Sequence, residues 1–380
     1  MMHTLKERKT MKKIAIIGGG IIGATAAFYL SQLTNDHITV YDFPQGQATR
    51  ASAGIISPWL SKRRNKKWYQ LAKDGAHFYQ KLVVDLALPD TIFSKSGVLL
   101  VRPEDSLSAL EDLAHERIKD APDMGEIQLL TGQQTKRLLP VLKEMPALYL
   151  TGGGRLDGAT YLQHVKQKAT ANQVTFVDSY ATLEKASDFW QVKTDRHTAT
   201  YATVLLSPGP HLKKLLSPLG YDVDIRPQKG QLLCFQTPFK DSAQWPVAML
   251  DGEADFIPFG HGKLLVGATH ENEAGWDLTP TSEAYQSLAT GITPFIDDRL
   301  TLEDYPVTYQ VGTRAYTADF APFFGALDEE PTLIVASGLG SSGLTTGPYI
   351  GYLLAQAIAQ AKPQMDPYQK PLTNYLNKRL

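Results

Sequence analysis

The chain has 380 residues, 43% hydrophobic and 20% charged, with a formal net charge of −1. That length exceeds one small core and fits two packed domains, while the near-neutral balance gives no field to attract nucleic acid or an anionic membrane. Cys234 is the one cysteine, which excludes an intrachain disulfide framework and a cysteine-cluster metal site.

The leader MMHTLKERKT is basic and has no apolar segment before Met11, so no secretory signal is expected there. Lys12 to Ile17 (KKIAII) reads as a strand buried on both faces, because an apolar run follows two lysines without a polar break. Gly18, Gly20 and Gly23 then supply the GxGxxG spacing. The first glycine permits a sharp turn and the second lets backbone approach a phosphate. The third lets a helix starting near Ile21 pack on the strand, with its N-terminal amides facing a pyrophosphate. A second strand, HITVYDF, reaches Asp42 nineteen residues after Gly23, where a carboxylate accepts a ribose hydroxyl. Strand, glycines, helix, strand and acid together point to a dinucleotide. Asp42 disfavours NADP and suits both NAD and FAD.

The remainder of the chain separates those two. A nicotinamide enzyme would continue with further strand–helix units. Instead a small-residue loop, GQATRASAGIISPWL (Gly46 to Leu60), precedes a helix in which Trp68, Leu71, Phe78 and Leu82 recur at core-packing spacing. The basic run KRRNKK, Lys62 to Lys67, reads as a solvated loop or helix start, with a polyanion site as the lesser reading. Strand signals return at YATVLLSPG (Tyr201 to Gly209). Thr332 to Ala359 reads as strand, glycine-rich turn and helix, again presenting amides at a helix start. The longest apolar candidate, Leu333 to Ala359, is broken by Gly, Ser and Pro, so no membrane span is expected and the default expectation is a cytoplasmic protein.

This distribution resembles the FAD-dependent amino-acid oxidase family, of the glycine oxidase, D-amino-acid dehydrogenase and sarcosine oxidase type. The resemblance runs from Lys12 to Ala359 and rests on IAIIGGGIIGATAAFYL, TRASAGII, GGGRLDGATYL, LLSPGPHLKKLL, IRPQKGQLL, KLLVGATHENEAGWD and VGTRAYTADFAPFFG, in that order. It implies an α/β fold: a Rossmann-like FAD-binding domain and a second, α+β substrate domain built on an antiparallel sheet. The expected FAD-binding segments are 11–60, 150–218 and 306–370; the substrate domain takes 61–149 and 219–305, with strands near Gly230 to Phe235 and Lys263 to Gly267.

On the same resemblance, Gly18, Gly20 and Gly23 hold the pyrophosphate with Ile21 and Ile22, and Asp42, followed by Phe43, holds the adenosine ribose. Thr49, Arg50, Ala51, Ser52, Gly54 and Ile55 line the pyrophosphate and isoalloxazine. Ala181 meets the adenine, and Ser207 and Gly209 form the second turn near the cofactor. Gly312, Gly338 and the run Gly340, Ser341, Ser342, Gly343, Leu344 and Thr345 approach the flavin, the run with its amides at the pyrimidine edge. FAD is expected to be non-covalent, because Cys234 sits in the apolar strand QLLCF and reads as a core residue.

Arg314 in GTRAYTAD matches the family arginine that grips a substrate carboxylate, for which a planar, permanently charged guanidinium is suited. An ion pair with Asp319 is the alternative. Two departures fall here. Ala315, followed by Tyr316, stands where the family has proline, and Asp255, three residues before Pro258, stands where glycine oxidase-like enzymes carry a tyrosine. Arg314, Asp255 and Tyr316 are therefore the candidate substrate-side residues. His261 and His270 read as exposed or structural. No nucleophile-elbow serine and no metal-ligand spacing is present.

The expected reaction oxidises the C–N bond of a small amino acid (glycine, a D-amino acid or an N-methylglycine type) to an imino acid. Oxygen or a quinone takes the electrons, and the other partner is the amino-acid or amine substrate. A 2-hydroxy-acid dehydrogenase and a non-catalytic flavoprotein redox module stay open. So do the acceptor and the oligomeric state, a homo-oligomer included.

Overall fold

The computed structural model describes residues 11–63, 65–252 and 254–379; the basic leader and Arg64 of the basic run lie outside the described residues. The elements that position the site begin with strand Lys13–Ile17 (β1), helix Ile21–Leu33 (α1), strand His37–Asp42 (β2) and helix Lys66–Leu86 (α2). Strands Thr175–Asp178 (β3), Thr203–Leu206 (β4) and Arg226–Gln236 (β5) follow. Next come Asp255–Pro258 (β6), Lys263–Gly267 (β7) and Val307–Tyr316 (β8). The last of these elements are strands Phe323–Leu327 (β9) and Glu330–Ser337 (β10) and helix Gly343–Ile358 (α3).

A six-stranded sheet runs β9-β10-β4-β1-β2-β3, parallel except at β9. The reading of β1 as covered on both faces is met residue by residue. Ile14 and Ile16 enter one core cluster, while Ala15 and Ile17 enter another on the opposite face. The chain leaves β1 through α1 to β2 on one side, and its other neighbour is β4. That reversal opens a crevice beyond the carboxyl ends of the strands. The fold is the expected α/β arrangement.

The second sheet has eight strands, β8-β5-β7-β6 followed by Val247–Met249, Val98–Val101, Ala147–Leu150 and Ile127–Leu130. It is antiparallel except where Val247–Met249 runs beside Val98–Val101. Its alternation is equally regular: Leu233 and Phe235 point to the cluster beneath helix Ser282–Ile292, while Leu232 joins the large core shared with α1 and α3. β8 pairs with β5 from Arg226 opposite Tyr316 to Phe235 opposite Val307, and α2 docks on α3, where the Tyr79 hydroxyl donates to the Leu344 carbonyl at 2.6 Å. We propose that β8 be counted with the larger sheet and α2 with the dinucleotide-binding half, shifting the divisions at 61 and 306 expected from sequence.

α1 and α3 lie in backbone contact. A Cβ at Gly347 would fall 2.4 Å from Cγ2 of Ile21, and one at Gly351 would fall 2.7 Å from the carbonyl oxygen of Ile22. Valine at 351 therefore has to push the helices apart, which outweighs the few tenths of a kcal/mol it gains in helix propensity. Gly351→Val is expected to lower stability by about 1–3 kcal/mol in chemical denaturation of the FAD-loaded protein; an unchanged midpoint would mean the two helices are free to separate.

Candidate active site

A cavity of about 590 Å³ lies beyond the carboxyl ends of β1, β2, β4 and β10 and reaches the edge of the second sheet, within the roughly 300–1,000 Å³ usual for ligand sites. Of the residues assigned from sequence to the cofactor or the substrate, all but Gly23, Arg50 and Tyr316 line it.

At the β1 end the three glycines divide their work. Gly18 has φ +105°, and a Cβ there would sit 2.4 Å from the Ser207 carbonyl oxygen; the Ser207 hydroxyl in turn donates to the Gly18 carbonyl at 3.0 Å. Gly23 faces that turn rather than the cavity, since its Cβ would lie 1.9 Å from the same carbonyl oxygen. Gly20 alone presents a bare backbone edge to the cavity, with nothing nearer to an added Cβ than the Thr49 hydroxyl at 3.5 Å. That hydroxyl also accepts the N–H of Ile21 at 3.1 Å, occupying the first amide of α1. The Asp42 carboxylate accepts the Gly19 N–H at 2.9 Å and the Gln47 side-chain amide at 3.2 Å. Arg50 spends its Nε on Gln47 at 2.8 Å and stays out of the lining.

An aromatic rim went unnoticed in the sequence. Phe43 meets Tyr180 edge-on at 5.9 Å, Tyr180 meets His211 at 6.5 Å, and His211 lies 4.6 Å from Trp276. Burial, helped by the nearby Lys214, holds His211 below its usual pKa and so neutral. Trp276 belongs to the segment ENEAGWD, but its exposed ring is set by the fold and leaves no signal in the sequence beyond the residue type.

On the opposite wall the turn after β10 leads into α3. Gly340, at φ +54°, admits no side chain, because a Cβ would fall 2.3 Å from the ring of Tyr316. Tyr316 accordingly sits behind this turn, buried, with its ring edge-on to Phe320 at 5.5 Å. It supports the wall and is not part of it. Gly209, at φ +57°, faces open space and accepts the Ser337 hydroxyl on its carbonyl at 2.9 Å. The Trp68 indole donates to the Ser342 hydroxyl at 3.1 Å, fixing α2 to the start of α3.

The β8 end holds the charged side chains. Arg314 Nη1 donates to the Gln228 side-chain oxygen at 3.0 Å and to the Thr269 carbonyl at 2.9 Å. The guanidinium lies over Gly230, where a Cβ would come within 2.8 Å of it. Burial lowers its pKa, opposed by Tyr316 and Glu271, yet an arginine stays cationic. Asp319 is engaged elsewhere, with Lys370 at 2.5 Å and the Tyr375 hydroxyl at 3.1 Å. Asp255 lines the cavity, and its Oδ1 accepts the Leu250 N–H at 3.2 Å. Enclosure of its carboxyl raises its pKa to about 7, against the lowering effects of that bond and of Arg102. His270 is exposed and also lines the cavity. Arg63, read from sequence as part of a solvated run, lines it too. Cys234 is half-buried on β5 and is not among the lining residues. Among the described residues, no group of three His, Cys, Asp or Glu could hold a metal ion, and no helix is long and apolar enough to cross a membrane.

A parallel sheet opening on a glycine-turned helix start, an acid at the end of the next strand, and a second sheet closing the cavity with an arginine define a dinucleotide-dependent oxidoreductase. The chain belongs to the DAO family of FAD-dependent oxidoreductases, whose family model matches residues 13–357. It is 34% identical to the uncharacterised oxidoreductase YurR of Bacillus subtilis strain 168 over 94% of this chain and 98% of that one. It is 25% identical to the glycine oxidase of Pseudomonas putida, covering 94% and 97%. The crystal structure of an iminodiacetate oxidase from Chelativorans sp. BNC1 superposes with a TM-score of 0.87 at 28% identity, covering 95% of this chain and 98% of that one. FAD is the cofactor. The cavity suits it: Gly20 and Gly209 leave space that a side chain would fill, Asp42 offers acceptors, and two helix starts without acidic residues face inward.

Asp255 gives the site a pH signature. The unfolded chain releases this proton near pH 3.9, whereas the folded state keeps it until about 7. Its contribution to stability therefore falls as pH rises from about 4 to about 7 and is flat above that. Denaturation midpoints of wild type and Asp255→Asn, measured at pH 5 and pH 8, are expected to differ more in the variant's favour at pH 8; a pH-independent difference would contradict the raised affinity.

Proposed function

We propose that the protein oxidises the C–N bond of a small amino acid or N-substituted glycine to an imine, which water then splits into an oxo acid and an amine. The observation that carries this reading is the Arg314 guanidinium, seated over Gly230 with both protein hydrogen bonds made by Nη1. The names of the relatives, glycine oxidase and iminodiacetate oxidase, agree with an amine bearing a carboxylate.

Bound non-covalently, FAD supplies the two-electron acceptor for that bond. Gly20, the N-terminal turn of α1 and Asp42 would hold its adenosine diphosphate part, and the wall Gly338–Thr345 would face the flavin. Arg314 binds the substrate carboxylate through paired hydrogen bonds and fixes the α-carbon, so that orientation supplies much of the rate. Asp255 faces the amine. With its proton affinity raised to about 7, its carboxylate accepts an ammonium proton at neutral pH and leaves the amine neutral. The aromatic rim and the Trp68 side of the cavity exclude water.

Anaerobic titration with glycine, sarcosine and D-amino acids, followed by bleaching of the flavin absorbance, tests the reading; an absence of bleaching with every amine rejects it. Arg314→Lys is expected to raise the half-saturating substrate concentration at least about tenfold, because the bidentate fork is lost, while the oxidised flavin spectrum stays unchanged. Gly230→Ala, which touches no substrate, is expected to reproduce much of that loss by evicting the guanidinium. Unaltered titrations in both variants would remove Arg314 from its role.

A further inference from the structure

The cavity contains a second guanidinium that the reaction above does not use. Arg63 stands at its rim, where Nη2 donates to the Ser341 hydroxyl at 3.1 Å and the guanidinium lies 4.5 Å from the centre of the Trp68 ring. It belongs to the same corner as Arg314. Arg314 and Tyr316 share one face of β8 by strand alternation. Tyr316 packs under Gly340, next to the serine that holds Arg63.

Among the described residues neither arginine forms an ion pair with the protein; Glu271, the acid that acts on Arg314 from a distance, pairs with Lys229 at 3.7 Å. Among the described residues, the arginines in ion pairs are Arg102, Arg196, Arg299 and Arg379. The acids lining the cavity are Asp42, held by Gly19 and Gln47 at the far end, and Asp255. Asp255 accepts the Leu250 N–H and makes no hydrogen bond or ion pair with either guanidinium. Arg314, half-buried at the end of β8, and Arg63, exposed at the rim, both spend their protein hydrogen bonds on neutral acceptors, so each can take a negative charge from a ligand in the cavity. A substrate with one carboxylate supplies one such charge.

We propose that Arg63 binds a second carboxylate, so that the preferred substrate is a small amine carrying two carboxylates, one on Arg314 and the other on Arg63. This rests on the amine-oxidation reading for the reaction itself, but the subsite is a matter of binding and is testable without turnover. Arg63 is then the residue that separates a dicarboxylic amine, such as iminodiacetate, from its N-methyl counterpart sarcosine.

The test titrates the FAD-loaded protein with unreactive acids, succinate against butyrate, read as perturbation of the flavin absorbance bands. Wild type is expected to bind succinate at least about tenfold more tightly, in keeping with one added charge-assisted pair. Arg63→Gln is expected to abolish that preference while butyrate binding stays put, and Arg63→Lys to restore part of it. The flavin spectrum and Tm of each variant serve as the folding control. Equal wild-type affinities for the two acids, or a loss in Arg63→Gln that falls equally on both, would overturn the subsite. A companion titration with iminodiacetate and sarcosine keeps the two ideas apart. Dicarboxylate preference with no bleaching leaves the subsite and removes the oxidation; bleaching without any preference does the reverse.

Discussion

Two helices of this chain, α1 and α3, deliver their N termini into one cavity, and everything else in the site is arranged around that convergence. It depends on the close approach of the helices, with Gly347 against the Ile21 side chain and Gly351 against the backbone of α1. Each N terminus carries about half a positive charge, and neither first turn contains an acidic residue to offset it. The cavity therefore favours anionic groups at both ends before any substrate enters. On the proposed function, the pyrophosphate of FAD would meet that demand at α1, and at α3 the same potential would favour a flavin that gains negative charge on reduction.

The first half of this arrangement was legible in the sequence because it is local. An uninterrupted apolar run, three spaced glycines and an acid nineteen residues on leave little freedom, and β1, α1 and β2 fall where that pattern puts them. The turn before α3 was readable for the same reason. What escaped depended on partners far along the chain. Arg314 and Tyr316 look equivalent on a strand, yet Gly230 leaves the arginine open to the cavity, whereas the Gly340 turn covers the tyrosine. Arg63 looked like one more surface charge until the fold set it against Ser341, 278 residues away. The place of β8 in the larger sheet follows from its ladder with β5, and no motif within β8 announces it.

The substrate end is also where the fold accepts cost. A half-buried guanidinium on Gln228 and Thr269 and an enclosed carboxyl at Asp255 are poor choices for stability alone. Apolar residues of similar size would pack there without desolvating a charge. The presence of Arg314 and Asp255 together on one cavity wall is what is expected where binding and chemistry outweigh stability.

Gly230 draws the last consequence. Its α-carbon is the floor on which the arginine rests, and it stands one step along β5 from the buried Lys229. The smallest side chain at 230 would come within 2.8 Å of the guanidinium and displace it from that floor. Where the Arg314 guanidinium rests is thus set by a residue 84 positions away that carries no functional group of its own.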